Sequence, residues 1–113
     1  TNRKIPGVTF TASSFTVAED ANHFPLHGQT LPAVHITLTD RNQLDSPELG
    51  IELLSALNAL YPKQFNLARA DRLLASVNTL LALQNKEDPR KIAAAWQPEL
   101  DAFKQRREPY LLY

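Results

Sequence analysis

Between residues 31 and 60 the spacing of apolar positions changes once, from two to near 3.6, and the rest of the chain reads outward from that change. In residues 34–39, Val34, Ile36 and Leu38 point one way and His35, Thr37 and Thr39 the other. Alternation with β-branched residues predicts a half-buried strand. After a polar turn, Ser46, Pro47 and Glu48 have the chemistry of an N-cap, a first helical residue and an acidic first turn. The helix they open places Leu49, Leu53, Leu57 and Leu60 on one face, with Ile51 and Leu54 beside it. It is expected to end at Tyr61 and Pro62, because proline cannot donate the next helical hydrogen bond. A strand that needs cover thus runs into a helix able to supply it. The polar corner between them, Thr39, Asp40 and Arg41, lies at the strand's carboxyl end, where open α/β structures tend to place ligand groups.

The flanks follow the same patterning. In residues 7–17, Val8, Phe10 and Ala12 alternate with Thr9 and Thr11, and then Phe15 and Val17 fall in the opposite register. That predicts a strand with a break near Ser13 and Ser14, of the kind a bulge makes. Residues 18–32 carry Pro25, Gly28, Pro32, His23 and His27 without periodicity, and are expected to form a loop. Residues 64–85 read as helix in two pieces, marked by Leu67, Ala70, Leu73 and Leu74, then by Val77, Leu80, Leu81 and Leu83. Ser76 or Asn78 is available as an internal cap. Asp88 and Pro89 open a last helix towards Arg107, with Ile92, Ala95, Trp96, Leu100 and Phe103 on its apolar side. Trp96 and Phe103 are expected in the core, although an exposed Trp would also suit sugar stacking. Pro98 interrupts this helix at a cost of ~3 kcal/mol, which predicts a kink or a restart with Trp96 just outside it. The tail 109–113 is apolar enough that it should dock on the domain or on a neighbour. The fold class expected is α+β, a two-layer arrangement of a small sheet with three to four helices packed on it.

Composition narrows the chemistry. A chain of 113 residues suits one domain with a real core, and 43% hydrophobic with 21% charged residues is an ordinary globular balance. Twelve basic and twelve acidic side chains cancel, without the basic surplus that a nucleic-acid groove or an anionic membrane surface demands. No apolar run approaches the ~20 residues that span a bilayer. With no cysteine there are neither disulfides nor thiolate metal sites. His23, His27 and His35 match no compact ligand spacing, so no metal or cofactor is expected. The chain opens on Thr1, contains no Met and shows no signal-peptide pattern, so it is expected to be processed or cut from something longer.

Four separated pieces carry a family resemblance. Ile5 to Phe10, with Phe15 following, is similar to an entry pattern PGVxF, and residues 34–41 to a strand and corner GVxIxVTDR. Gly50 falls where that family places a helical glycine, and residues 60–65 resemble LYPxxF. At the end Ile92, Trp96, Leu100, Phe103, Arg107 and residues 110–113 match IxxxWxxxLxxFxxxRxxYLLY. In this order and spacing they resemble the C-terminal region of the exo-β-N-acetylmuramidase (NamZ-type) glycosidases.

The resemblance implies a smaller C-terminal auxiliary domain over residues 1–113, packed against a larger N-terminal Rossmann-like domain that carries the catalytic carboxylates. The substrate cleft lies between the two, and the reaction releases terminal N-acetylmuramic acid from bacterial peptidoglycan fragments, which favours a periplasmic or secreted address. Glycoside hydrolysis needs two acids about 5 to 9.5 Å apart. The close acidic sets here, Asp40 with Asp45 and Glu19 with Asp20, suit turns and caps better, so no catalytic residue is expected within this chain. Thr39, Asp40, Arg41 and Tyr110 are the substrate-binding candidates. Asp40 and Arg41 could hold sugar hydroxyls and a lactyl carboxylate, Arg offering a two-pronged fork; alternatively Asp40 caps the turn and Arg41 is solvated. Arg107 and Tyr110 either anchor the tail or line the cleft. Pro25, Leu31 and Thr37 depart from the family pattern, which has lysine, cysteine and histidine in those regions, so either the substrate is shifted or the relative is a diverged one. The competing class is a non-catalytic module that binds a protein or a glycan.

Overall fold

The computed structural model describes residues 3–20 and 23–112; Tyr113 of the tail, and Ala21 and Asn22 of the long loop, lie outside them. The chain divides into two compact units, residues 1–45 and 46–113. The fold class is α+β as expected: the described residues form a two-stranded antiparallel sheet in the first unit and four α-helices in the second.

In the first unit β1 (Val8–Thr16) pairs with β2 (Thr30–Leu38), one for one from Val8 opposite Leu38 to Thr16 opposite Thr30. There is no break at Ser13 and Ser14. Phe15 faces the other way from Phe10 simply because it lies an odd number of residues along, opposite Leu31. The strand also claims Thr30, Leu31 and Pro32 from the expected loop. Val17 donates its N–H to the Gln29 carbonyl at 3.0 Å, which fixes the phase of the ladder. Pro32, opposite Ser14, then falls on a pair that exchanges no hydrogen bonds, where its missing N–H costs nothing. Val8 with Leu38, Phe10 with Ile36, and Ala12 with Val34 form an apolar row on one face, each pair contributing about 0.2–1 kcal/mol. Phe10, Val34, Ile36 and Leu38 are exposed rather than half-buried, because two strands make a single layer and supply no second one of their own.

The open end of the hairpin is closed by Gly7. Its carbonyl accepts the N–H groups of Thr39 (2.8 Å) and Asp40 (3.2 Å). Its φ is +82°, and a Cβ there would lie 2.5 Å from the Asp40 carbonyl oxygen and 2.7 Å from the Leu44 nitrogen. Only glycine takes this conformation and admits the opposing backbone.

The second unit runs α1 (Ser46–Leu60), a 3₁₀ turn (Leu67–Ala70), α2 (Asp71–Leu74), α3 (Val77–Gln84) and α4 (Pro89–Arg107). α1 begins at Ser46 itself, so the N-cap position passes to Asp45. It stops before Pro62, as expected. Ser76 does cap α3, accepting from the Thr79 N–H, and Asp88 caps α4, accepting from the Arg90 N–H at 3.0 Å. Helix α4 continues unbroken through Pro98, so there is no restart and Trp96 lies inside it. Pro98 and Ala94 are both exposed, so water can reach the Ala94 carbonyl that the proline leaves without a donor.

The core is Ile51, Leu67, Ala70, Leu83 and Ile92, with Leu54, Phe65 and Trp96 packed against it. Ile51 and Leu83 are 2% and 1% exposed. The face of α1 that turns inward is therefore centred on Ile51, while Leu57 and Leu60 of the expected stripe are exposed. Leucines surround most of α1, so their spacing alone left the inward direction open. Leu73, Val77 and Leu81 are likewise exposed. The tail does not dock within its own unit, since Tyr110, Leu111 and Leu112 are exposed after the 3₁₀ turn Glu108–Tyr110.

A side-chain hydrogen bond joins α4 to α3 beside this core. The indole N–H of Trp96 donates to Thr79 Oγ1 at 3.1 Å, and Thr79 is buried. Thr79→Val keeps the volume but strands that donor, so it should destabilise the helical unit by about 1–3 kcal/mol, read as a lower urea midpoint in the fluorescence of the single tryptophan. In the hairpin, Gly7→Ala forces the corner backbone to shift. The Thr39 amide should lose hydrogen-exchange protection by a factor matching about 1–3 kcal/mol of strain, while Leu83 keeps its protection. An unchanged Thr39 amide would contradict the constraint.

Candidate functional site

The corner that follows β2 is built from backbone outward. Gly7 fixes the Thr39 and Asp40 amides, and the half-buried Asp40 side chain then shapes the turn beyond. Asp40 Oδ1 accepts the Asn42 N–H at 2.9 Å, and Oδ2 accepts from Gln43 Nε2 at 2.8 Å. This is an aspartate-supported turn, the structural role weighed for Asp40. It uses one acceptor position on each oxygen, and an ionised carboxylate offers about four in all. Room remains for a sugar hydroxyl. Thr39 and Arg41 flank Asp40 and are exposed, so three of the four candidate residues share one presented corner. Tyr110 belongs to the helical unit, in the 3₁₀ turn after α4, and is 81% exposed. Arg107 does not anchor it: its guanidinium sits over the Phe103 ring, 5.8 Å from the centroid.

Beside the corner is a depression of about 890 Å³ lined by Lys4, Pro6, Thr9, Phe10 and Gln43 among others. It combines an ammonium, an amide, a hydroxyl and an aromatic edge. The linear sequence carried no signal for it. Gln43 at this surface is held by Asp40, whose Oδ2 accepts from its amide.

The remaining candidates stay apart. His23 stacks at a tilt on Phe24 with centroids 4.4 Å apart, His35 stands opposite Thr11 on the polar face of the hairpin, and His27 lies in the loop. Among the described residues no three His, Asp, Glu or Cys side chains come together as a metal site would require. Asp45 precedes α1 directly, and Glu19 is exposed near Gly28. Glu52, which no pattern singled out, is buried in α1 and engaged by a partner.

The helical unit has its own concavity, a groove of about 870 Å³ among α1, α2 and α4. Trp96 is half-buried along it. Phe103, expected in the core, is exposed at its end because α4 outruns the helices it packs on. No helix among the described residues is long and apolar enough to cross a membrane.

Comparison with known proteins gives three results. The peptidoglycan β-N-acetylmuramidase NamZ of Bacillus subtilis (strain 168) is 28% identical over 113 residues, covering 96% of this chain and 26% of the relative. The chain thus spans about a quarter of the length of the curated relative it matches. No solved structure matches significantly. The family described as exo-β-N-acetylmuramidase NamZ, C-terminal, matches residues 1–113, and the chain belongs to that family.

Proposed function

We propose that this chain is the C-terminal auxiliary domain of a peptidoglycan-sugar glycoside hydrolase and forms one wall of its substrate cleft. The family match over the whole chain is the observation that carries this. The other wall, and the catalytic carboxylates, belong in this account to an N-terminal Rossmann-like domain of the same polypeptide. The relative is named for an activity on peptidoglycan and is about four times as long, which leaves room for such a domain.

The corner suits the sugar this activity would take. N-acetylmuramic acid differs from N-acetylglucosamine by a lactyl ether that ends in a carboxylate. Arg41 offers that carboxylate a planar two-pronged donor, and the ammonium of Lys4 in the adjoining depression adds a second positive charge. Thr39 and the spare acceptor positions of Asp40 suit ring hydroxyls. The face of Phe10 suits the apolar side of a pyranose ring. Tyr110 is proposed as a further sugar contact through its hydroxyl, to be tested on its own. No proton transfer is assigned to residues of this chain; Asp40 is committed to its turn.

The test is turnover of a chromogenic N-acetylmuramic acid glycoside by a longer protein carrying this chain. Arg41→Ala should lower kcat/KM by roughly ten- to a hundredfold, mainly through KM, as loss of a charge-assisted contact implies. The same variant should act equally with wild type on a glucosamine glycoside lacking the lactyl group. A longer protein inactive on every muramyl substrate would refute the proposal, and so would an Arg41→Ala variant of unchanged KM.

A further inference from the structure

We propose that the depression beside the corner is the subsite for the sugar's acetamido group, selected by the side-chain carbonyl of Gln43 and the main-chain N–H of Phe10. The subsite belongs to the cleft wall proposed above and rests on that reading. Gln43 and Phe10 both line the depression.

The orientation of Gln43 follows from its partner. An ionised carboxylate only accepts, so the amide turns its NH2 towards Asp40 Oδ2, 2.8 Å away. Its carbonyl oxygen Oε1 is thereby left for another group, as an acceptor. Asp40 is itself held, since Oδ1 takes the Asn42 N–H at 2.9 Å. A glutamine amide free in water presents either end; this one presents a fixed polarity. Order set in advance in this way is order that a ligand need not impose.

The strand ladder places the donor. Thr39 donates to the Gly7 carbonyl at 2.8 Å and Val17 to the Gln29 carbonyl at 3.0 Å, so the odd-numbered residues of β1 are the ones bonded to β2. Phe10, opposite Ile36, therefore points its N–H towards the outer edge of β1. Among the described residues the sheet has two strands, and none pairs with that edge. Val8, the outward residue before it, already gives its N–H to the Ile5 carbonyl at 3.5 Å. Phe10 is thus the first edge donor beyond that turn, with Ile5 and Pro6 as apolar surface nearby.

An oriented acceptor, an edge donor and an apolar wall are the complement of an acetamido group. Its N–H meets Oε1 of Gln43, its carbonyl meets the Phe10 N–H, and its methyl meets Ile5 or Pro6. A hydroxyl makes one of these contacts and not all three. The protonated amine of an unacetylated sugar would meet the ammonium of Lys4 instead. On the ring, the carbon bearing the acetamido group adjoins the one bearing the lactyl ether. Gln43 likewise follows Arg41 on the same turn, so a carboxylate held by Arg41 leaves the acetamido group on the side of Gln43.

The test uses the longer protein turning over a chromogenic N-acetylmuramic acid glycoside, inhibited by either of two free sugars. One is N-acetylmuramic acid; the other is 3-O-lactylglucose, with a hydroxyl in place of the acetamido group. Wild type should favour the first by roughly tenfold or more in inhibition constant, since the second leaves the site's polar groups unmet. Gln43→Leu should bring the ratio of the two constants close to one. Asp40→Asn keeps an acceptor for Asn42 but offers Gln43 an NH2, which reverses the Gln43 amide, so the ratio should collapse although Gln43 remains. Mere damage to the corner would weaken both sugars together and keep the ratio. With 15N-phenylalanine labelling, the Phe10 amide proton should move downfield with N-acetylmuramic acid and not with 3-O-lactylglucose. A protein active on muramyl glycosides overturns the inference, and leaves the cleft assignment standing, if wild type shows no preference, if either variant keeps the wild-type ratio, or if the Phe10 amide responds equally to both sugars. A protein inactive on every muramyl substrate overturns the cleft assignment and this subsite with it.

Discussion

Five side chains, Ile51, Leu67, Ala70, Leu83 and Ile92, decide how the helical unit is put together. Each comes from a different element, apart from the two in the 3₁₀ turn, and the 3₁₀ turn and α3 are too short to persist alone. Burying one such aliphatic side chain contributes about 1.5–3 kcal/mol, so the cluster supplies what propensity cannot. A part-buried hydrogen bond from the Trp96 indole N–H to Thr79 then ties α4 to α3. The same small core has a second consequence. With Ile51 turned inward, the half-buried Leu53 and Leu54 of α1 and the exposed Leu73 of α2 line a groove beside it.

The hairpin obeys a different rule. It has almost no buried side chains, and its shape is set by a ladder of paired residues and by one glycine. Gly7 admits the Asp40 and Leu44 backbone where any larger residue would push it away. A corner held by main-chain hydrogen bonds is a good place for binding groups, since its geometry does not depend on flexible side chains. Asp40 extends that order outward by one turn and brings Gln43 with it. What the corner can do therefore follows from a residue more than thirty positions upstream.

How much of this was legible beforehand varies by element. Ser76, Asp88 and Pro62 act as their chemistry predicts, because each effect is local. The restart expected at Pro98 does not occur: α4 runs through it, and the carbonyl that loses its donor faces water. The bulge expected near Ser13 and Ser14 is absent because the change of register at Phe15 needs no break: an unbroken strand already places Phe15, opposite Leu31, on the other face from Phe10. Burial was the weakest inference. Leu57, Leu60, Leu73 and Phe103 are apolar at helical spacing yet exposed, because periodicity marks a stripe without saying what stands opposite it. The corner residues Thr39, Asp40 and Arg41 were visible from strand and turn chemistry. The depression beside them was not, as Lys4 and Gln43 are neighbours only in the folded hairpin.

The most direct measurement is a crystal structure of a longer protein carrying this chain with N-acetylmuramic acid bound. The account predicts the lactyl carboxylate at hydrogen-bond distance from the Arg41 guanidinium, with a sugar hydroxyl on Thr39 or Asp40. A bound sugar that touches none of these three residues would contradict it.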